Sequence, residues 1–220
     1  MEVGLAAGVL TTLWAVLVGL TSGYIAGVGS ELLSMFSNVF LVLPALPLVV
    51  ILASYLPNSG SIGVILVITV TGWAWGARVL RAQTLSLRRR PHLLAAQGFG
   101  ARTPYILKRH LLPELALLLA AGVVTAAGRG VLMLAGLAFL GLGNPTQVNW
   151  GSTMRAALNF QSLFFTDAWR WWLLPPAIAV AVVLLGLTLV GVGMDSYVNP
   201  QISRHAALDR VLADTKTGAA

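Results

Sequence analysis

Five stretches of the sequence, each about twenty residues long and poor in charge, are long enough to cross the hydrocarbon core of a bilayer. Only 10% of the residues are charged and the mean hydropathy is +0.84, whereas soluble domains carry about 25% charged residues. The predicted spans are roughly Val3 to Ile25, Val39 to Leu56, Ile62 to Leu80, Leu111 to Leu134 and Trp172 to Gly193. The predicted fold class is therefore all-α, a polytopic membrane protein with about five transmembrane helices.

Proline and glycine residues predict where these spans bend or end. Pro44 and Pro47 interrupt the second span, and Pro113 lies near the start of the fourth. Proline is tolerated in membrane helices where neighbouring groups satisfy the freed backbone, so we expect kinked helices at these positions. The glycine-rich stretches 23–29 and 136–143 are typical of span ends or of close helix contacts.

The basic residues indicate the orientation of the chain. The segment from Arg78 to Pro113 holds eight of the fourteen Lys and Arg residues and no acid, while residues 144–171 hold only two basic residues. The positive-inside rule places the first segment and the basic tail in the cytoplasm. We therefore expect a membrane domain at 1–200, with a cytoplasmic loop at about 81–110 and an external loop at about 144–171. A disordered cytoplasmic tail at 201–220 is expected to follow.

Several function classes are disfavoured by the composition. The chain has no Cys and three scattered His residues, so the sequence predicts no disulfide, metal site or cofactor. The net charge of +7 resides in loops beside apolar spans, which favours membrane orientation over nucleic-acid binding. No P-loop motif and no convincing acid, base and nucleophile set is present, so a catalytic role is not expected.

A short helix is predicted inside the basic segment, from Pro91 to Phe99. Proline suits the first position of a helix, and Gly100 suits the left-handed position that closes one. A second helix opens at Thr103-Pro104 and leads into the membrane. Helical spacing predicts one shallow apolar face on the first helix, formed by Leu93, Leu94, Ala96 and Gln97. The residues alone favour two interpretations equally, a docking face for a protein and an interfacial helix on anionic lipid.

Isolated polar residues give weaker indications. Arg129 in the fourth span would cost roughly 2.5 to 3.5 kcal/mol at the bilayer centre, so it should face the bundle or a water-filled path. Its possible partners are a solute carboxylate, a partner subunit, and a structural pair or carbonyl contact inside the bundle. Glu114 suits the N-terminal dipole of its helix, and Asp195 suits a solvated helix end. His92 and His205 are interpreted as solvent-facing loop residues.

The order of motifs along the chain resembles a known family. The spacing of the cytoplasmic Glu-Ala-Ala motif in permeases of binding-protein-dependent ABC importers is matched at Ala95-Ala96, Gly100 and His110-Leu111-Leu112-Pro113. Other segments resemble the dipeptide, oligopeptide and nickel branch of that family, namely Leu43-Pro44-Ala45-Leu46, Gly72-Trp73, residues 77–88, residues 137–143, Trp150-Gly151 and Asn199-Pro200. The resemblance covers nearly the whole chain.

This resemblance implies a transport role with named partners. The short helix would be a coupling helix seated in a groove of a cytoplasmic ATPase, and His110 to Pro113 would join it to the membrane. The residues implied in coupling are Leu93, Leu94, Ala95, Ala96, Gln97, Gly100, His110, Leu112 and Pro113. The implied partners are ABC ATPase subunits, a second permease subunit in a heterodimer and an external solute-binding protein that delivers a peptide or a nickel chelate.

Three departures from the family pattern stand beside the matches. Leu94 occupies the position of the motif's Glu, and Leu134 stands where relatives place an acid. The family's first membrane helix has no counterpart, and five spans with a cytoplasmic C-terminus likewise leave the N-terminus outside. We interpret the missing first helix, in order of preference, as the result of an N-terminally shortened gene model, a fragment or a degenerate subunit. The alternative function is a stand-alone secondary transporter or channel that uses Arg129 and the kinked helices.

Overall fold

Helices make up every regular element in the described part of the chain. The computed structural model describes residues 2–25, 27–55, 60–142 and 148–198, with side chains up to residue 194. The first helices are α1 (Glu2–Tyr24), α2 (Val28–Val42), α3 (Ala45–Ser54), α4 (Gly60–Leu87) and α5 (Pro91–Gly98). They are followed by α6 (Thr103–Ile106), a π-helical turn (Leu107–Leu111), α7 (Leu112–Glu114), α8 (Ala116–Leu140), α9 (Trp150–Leu158), α10 (Ala168–Trp172) and α11 (Leu174–Val198).

The membrane-spanning helices confirm the predicted fold class. Four helical stretches within the described residues are long and apolar enough to cross a bilayer, and the number becomes five if the bent pair of α2 and α3 is one span. The first helix agrees with its predicted bounds to within one residue. The predicted tail, the Asn199-Pro200 motif and His205 lie outside the described residues, as does the side chain of Asp195.

Helices α1, α4 and α8 form the centre of the bundle through close glycine contacts. A side chain added at Gly8 would lie 2.7 Å from the backbone nitrogen of Ala127, and one at Gly19 would lie 2.7 Å from the carbonyl oxygen of Ala77. Such approaches let helix backbones meet and maximise van der Waals contact, which is the main attraction between helices in lipid. Glycine therefore supports helix contact here rather than only ending spans.

The same contacts fix the relative directions of the helices. Gly19 and Gly23 of α1 meet successive turns of α4, so these two helices are parallel. Gly4 and Gly8 of α1 meet Val131 and then Ala127 of α8, so α1 and α8 are antiparallel. The C-terminal ends of α1 and α4 thus lie at one end of the bundle, the α5 end. The opposite end carries α9.

The predicted second span, Val39 to Leu56, was wrong in its bounds. The structure instead has α2 and α3, which are bent by 87° with a break at Leu43 and Pro44. Pro44 precedes the first turn of α3 and has an extended backbone (φ −67°, ψ 116°). Because proline ends the hydrogen-bonded ladder and restricts the residue before it, the helix cannot continue straight through. The kink expected from the prolines is confirmed at this point.

The start of the basic loop also needed correction. Helix α4 continues to Leu87, so Arg78 and Arg81 belong to a helix and the loop begins at Arg88. Arg81 donates through Nη2 to Ser30 Oγ (3.3 Å), and Arg88 donates through Nη1 to the carbonyl oxygen of Gly23 (3.3 Å). These contacts hold the last turns of α4 against the ends of α1 and α2, which gives the loop a rigid base.

Glycines in two of the resembling motifs have structural roles at the α9 end. Gly141 closes α8 in the left-handed conformation (φ +84°), and the N–H of Leu142 donates to the carbonyl oxygen of Leu137 (2.9 Å). The guanidinium of Arg155 occupies the space where a side chain on Gly141 would lie. A Cβ on Gly151 would lie 2.0 Å from the carbonyl oxygen of Ala135. Close packing of α9 on α8 therefore requires glycine at position 151, whereas at position 141 the positive φ is what favours glycine.

Candidate functional site

Helix α5 matches its prediction to within one residue. Pro91 is its first residue, and Gly100 follows its end with φ +79°. The N–H of Gly100 donates to the carbonyl oxygen of Gln97 (2.9 Å), and the N–H of Ala101 donates to that of Ala96 (3.1 Å). These two bonds form a Schellman motif, which satisfies carbonyls that a helix end otherwise leaves free. The sequence therefore specifies both ends of α5.

The expectation that Leu93 and Leu94 share one face of α5 was wrong. Leu93 is 0% exposed and packs in an apolar cluster with Leu87, Ile106 and Leu111, whereas Leu94 is 53% exposed. Consecutive residues of a helix point about 100° apart, so one leucine anchors α5 to the bundle and the other faces away. The apolar surface of α5 is thus divided between an anchor and an exposed face.

The exposed face of α5 is formed by the short side chains of the motif. Ala95 is exposed and Ala96 is partly buried. Gln97 is exposed and donates through Nε2 to the Tyr24 hydroxyl (3.0 Å), which ties the face to the end of α1. Phe99, directly after the helix, is 92% exposed. We call Leu94, Ala95, Gln97 and Phe99 the α5 face. Its members are exposed and, apart from Gln97, apolar, and the same helix is held to the bundle by the buried Leu93.

The chain between α5 and α8 is a succession of short turns. Thr103-Pro104 opens α6, as predicted, and a π-helical turn follows at Leu107–Leu111. The N–H of Leu112 donates to the carbonyl oxygen of Leu107, five residues earlier. Pro113 has no N–H to donate, so the regular ladder is interrupted just beyond this turn. The predicted joint at His110, Leu112 and Pro113 therefore coincides with a wide turn followed by a break.

An ion-pair network connects the start of α5 to the start of the next span. Arg90 Nη1 lies 3.2 Å from Glu114 Oε2, and His92 Nε2 lies 2.7 Å from Glu114 Oε1. His92 is therefore not merely a solvent-facing loop residue, and Glu114 does more than suit a helix dipole. The partners are 22 and 24 residues apart, so no helical spacing in the sequence could have indicated the pairing. We call these three residues the Glu114 network.

A second cluster surrounds Arg129, near the middle of α8. The guanidinium carbon of Arg129 lies 4.6 Å from the centre of the Trp75 ring on α4, which is a cation–π geometry. Arg129 is exposed, and its guanidinium makes no hydrogen bond or ion pair within the part of the chain that the structure describes. Of the partners considered from the sequence, a carbonyl contact is absent among the described residues, whereas Trp75 pairs with Arg129 between α4 and α8.

A cavity of about 180 Å³ lies beside this cluster, between α1, α4 and α8. Most of its lining is apolar or glycine, and the polar members are Thr11, Thr12, Thr125 and Arg129. The hydroxyls of Thr12 and Thr125 donate to carbonyls four residues earlier in their own helices. Among the lining residues that the structure describes, Arg129 is the only cation. No group of three metal-ligating side chains occurs in the described residues.

The sequence indicated Arg129 but not its setting. Trp75 lies in a span whose apolar residues all serve equally well as packing residues, so nothing in its pattern predicted a cation–π partner 54 positions away. Gly72 and Gly76 of α4 and Gly122 of α8 line the cavity, and each of them faces a side chain of α1. Glycines at these positions could have suggested a recess, but only once the packing of α1 against α4 and α8 was known.

Comparison with known proteins gives a family match over most of the chain. Residues 15–204 match the family described as "Binding-protein-dependent transport system inner membrane component". The match includes the C-terminal part of α1, the whole of α4, α5 and α8, and the Glu114 network.

Curated relatives with similar sequences are named as peptide permeases. The chain is 29% identical to the "Oligopeptide transport system permease protein OppC" of Bacillus subtilis (strain 168), over 92% of this chain and 65% of that protein. It is 30% identical to the "Dipeptide transport system permease protein DppC" of the same strain, over 92% of this chain and 63% of that protein. A "Putative peptide permease protein" of Brucella ovis is 30% identical, over 88% of this chain and 63% of its own length. The chain thus spans less than two thirds of the length of these relatives.

Proposed function

The chain belongs to the family of inner membrane components of binding-protein-dependent transport systems, and on this premise we propose that it forms half of the translocation path of an ATP-driven importer. It is the membrane-spanning, non-catalytic subunit, and ATP hydrolysis is performed by a partner. It resides in the inner (cytoplasmic) membrane as a multi-pass protein with α5 and the C-terminus in the cytoplasm. The positive charge around α5 supports this orientation.

The main observation behind the proposal is that the α5 face is exposed while the same helix is attached to the bundle. The α5 face, with Leu94 at 53% and Phe99 at 92% exposure, offers apolar area to a soluble partner. Leu93, fully buried, and the Glu114 network attach the same short helix to the bundle. A helix that is anchored on one side and free on the other can transmit the movement of a docked ATPase to α4 and α8. Leu94 replaces the motif's acid with an apolar contact, whose burial in a groove is favourable.

Four kinds of partner complete the assembly. Two ATPase subunits dock on the α5 faces of this chain and of a second permease subunit. The second subunit covers the side of α8 that carries Arg129, and an external solute-binding protein delivers the solute at the α9 end. The bilayer covers much of α11, where Val182, Leu185 and Leu189 are each at least 60% exposed.

Peptides are the proposed solute class. The relatives named above are an oligopeptide permease, a dipeptide permease and a peptide permease, and these names support the same class here. A nickel chelate is the second candidate solute, because the motifs of the chain resemble a branch that includes nickel permeases.

One other function is supported by a specific observation. Arg129 faces a cavity in the middle of the bundle, and the α2–α3 pair is bent by 87°. Broken helices and an intramembrane cation also occur in secondary transporters, which use an ion gradient and no nucleotide. This alternative gives no role to the α5 face. The two functions therefore differ in whether changes on α5 affect transport.

The test replaces Ala95 with arginine in the chain expressed with its partners. Ala95 is exposed, unlike the partly buried Ala96, so the bulky charge should block docking without disturbing the fold. We expect the amount of ATPase that co-purifies to fall about tenfold or more, as a loss of about 1.4 kcal/mol in interface free energy requires.

Ala156→Arg provides the matched control, since Ala156 is an exposed alanine on α9 at the opposite end of the bundle. It should retain the ATPase at the unmodified level. Equal ATPase recovery from Ala95→Arg and Ala156→Arg would refute docking through α5.

A further inference from the structure

Arg129 is an exposed cation in the middle of an otherwise apolar helix, and it has no anion beside it. Its guanidinium donors have no acceptor within the described part of the chain, and no described carboxylate lies within 4 Å. The ion pairs of Glu114 and Asp167 are with other basic residues near the two ends of the bundle. An intramembrane cation is expected to have a partner or a function. The partner of Arg129 must therefore come from outside the described chain.

The surroundings of Arg129 favour a planar anion. Trp75 lies against the guanidinium at 4.6 Å and can fix its plane, which leaves the edge N–H groups free to donate in parallel. Two parallel N–H donors are the geometry that a carboxylate accepts best. The indole N–H of Trp75 is likewise without an acceptor in the described residues. An array of donors without acceptors thus lies at the edge of a cavity.

The cavity supplies a second, independent indication. Thr11, whose side chain is part of the lining, is 6% exposed, and its hydroxyl has no hydrogen-bond partner among the described residues. Buried hydroxyls are nearly always paired, so an unpaired one in the lining of the cavity that also contains Arg129 points to a missing polar ligand. The volume of about 180 Å³ lies below the roughly 300 to 1,000 Å³ of sites that enclose a whole small ligand. It has room for one end of a solute.

We propose that Arg129 and Trp75 form a recognition subsite for the carboxylate of the transported solute, with Thr11 at the floor of the same recess. This inference rests on the proposed function and specifies it, because a peptide carries a carboxylate at its C-terminal end. The guanidinium holds that end in the middle of the membrane, where few other charges compete. The remainder of the solute extends toward the second permease subunit.

The experiment uses the purified complex with all its subunits and a single reporter cysteine in this chain. The chain has no native Cys, so Thr125→Cys in the cavity lining can be labelled by a methanethiosulfonate reagent and detected on this subunit by mass spectrometry. Trialanine and trialanine amide are compared as protecting solutes. We expect trialanine to protect the cysteine at about tenfold lower concentration than the amide, because only the free acid carries a negative charge and two oxygens that accept parallel N–H bonds from Arg129.

Variants at Arg129 show whether the guanidinium causes that difference. Arg129→Gln should remove the preference for the free acid, and Arg129→Lys should retain only part of it, because lysine keeps the charge without the planar fork. Arg170→Gln, at the opposite end of the bundle from α5, is the control and should keep the full preference. Equal protection by acid and amide in the unmodified complex would overturn the inference, as would an unchanged preference in Arg129→Gln.

Two further measurements separate this inference from the proposed function. ATP-driven uptake of trialanine is measured on the same preparations. Absence of uptake by the unmodified complex would refute the proposed function, whereas uptake without acid preference would refute only the subsite. Size-exclusion chromatography then reports subunit assembly. If the complex with Arg129→Gln lost the second permease subunit, Arg129 would be assigned to the subunit interface. That result would also overturn the inference of a carboxylate subsite.

Discussion

Two adjacent leucines on α5 have opposite environments. Leu93 is fully buried against α4 and the π-helical turn, while Leu94 is 53% exposed. The first contributes to the stability of the chain, and the second is available to a partner. At the scale of a single residue, the proposed coupling motif therefore places a buried anchor next to an exposed side chain that is free to contact another protein.

Replacing each leucine separately with alanine should distinguish the effect on stability from the effect on partner binding. Leu93→Ala removes buried methyl groups and leaves a cavity, which typically costs about 2 to 5 kcal/mol. We expect it to lower the thermal unfolding temperature of the detergent-solubilised chain. Leu94→Ala should leave that temperature unchanged and instead weaken retention of the ATPase. Both expectations are checked by measuring the thermal unfolding temperature and the co-purified ATPase for each variant. A greater loss of thermal stability from Leu94→Ala than from Leu93→Ala would contradict this division.

Residue-level prediction from the sequence was uneven for physical reasons. Pro91 and Gly100 act through their own backbone, so the ends of α5 followed directly from residue type. Arg129 was indicated by the cost of a charge in an apolar span. Its Trp75 partner and the partners of Glu114 depend on how distant segments pack, and a local pattern carries no information about such contacts.

At the scale of elements, the connection between α5 and α8 determines how movement could pass between them. Leu93 provides an apolar attachment, and the Glu114 network provides a polar one across 22 to 24 residues of chain. Between them lies the π-helical turn, where the helix is wider and followed by a break at Pro113. The segment can therefore bend near His110 while α5 stays tied to the base of α8.

Removing the charge of Glu114 should weaken coupling more than docking. Arg90 and His92 have side chains that are 58% and 46% exposed. Because ion pairs at such positions contribute about 0.2 to 1 kcal/mol, we expect Glu114→Gln to reduce ATP-driven uptake by at most roughly fivefold. The co-purified ATPase should remain at the unmodified level.

Asp167→Asn is the matched control for this change. It breaks the Asp167–Arg170 pair (3.4 Å), an exposed ion pair at the opposite end of the bundle, and uptake should be unaffected. Uptake and ATPase retention are measured on both variants at low and high salt, since screening should reduce the effect of Glu114→Gln. An equal effect of the two substitutions would show that the Glu114 network has no special role.

Element boundaries show which signals in the sequence are reliable. The apolar run of α1 predicted that helix to within one residue. Hydropathy alone ended the third span at Leu80, although the helix continues to Leu87 because Arg81 and Arg88 reach neighbouring helix ends. Apolar character reports the membrane-embedded part of a helix, whereas hydrogen bonding determines where the helix itself ends. The bend at Pro44 was expected, but not that α2 would begin as early as Val28.

At the scale of the whole molecule, the helix directions define a topology that can be measured. Because α1 and α4 are parallel and α4 leads into α5, Glu2 lies at the end of the bundle opposite Gln97. Gln161 follows α9, which packs on the C-terminal end of α8, so it lies at the same end as Glu2. Which of these ends faces the cytoplasm follows from the basic residues around α5.

Single cysteines at Glu2, Gln97 and Gln161 should report this topology in the Cys-free chain. All three residues are exposed. An impermeant thiol reagent added outside intact cells should label positions 2 and 161, and label position 97 only after the membrane is opened. Labelling of positions 2 and 97 from the same side would contradict the parallel arrangement of α1 and α4. Labelling of position 97 from outside would show that the chain has the opposite orientation to the one proposed.

ATP-driven uptake tests most directly whether the chain is part of an importer that is driven by ATP. Vesicles that contain this chain with its permease, ATPase and binding-protein partners are supplied with labelled trialanine, and uptake is compared with ATP, without nucleotide, and with an ion gradient alone. We expect uptake that requires ATP and the binding protein and that falls together with the retained ATPase in Ala95→Arg. Uptake driven by the ion gradient without nucleotide, and equal in Ala95→Arg and the unmodified chain, would contradict this.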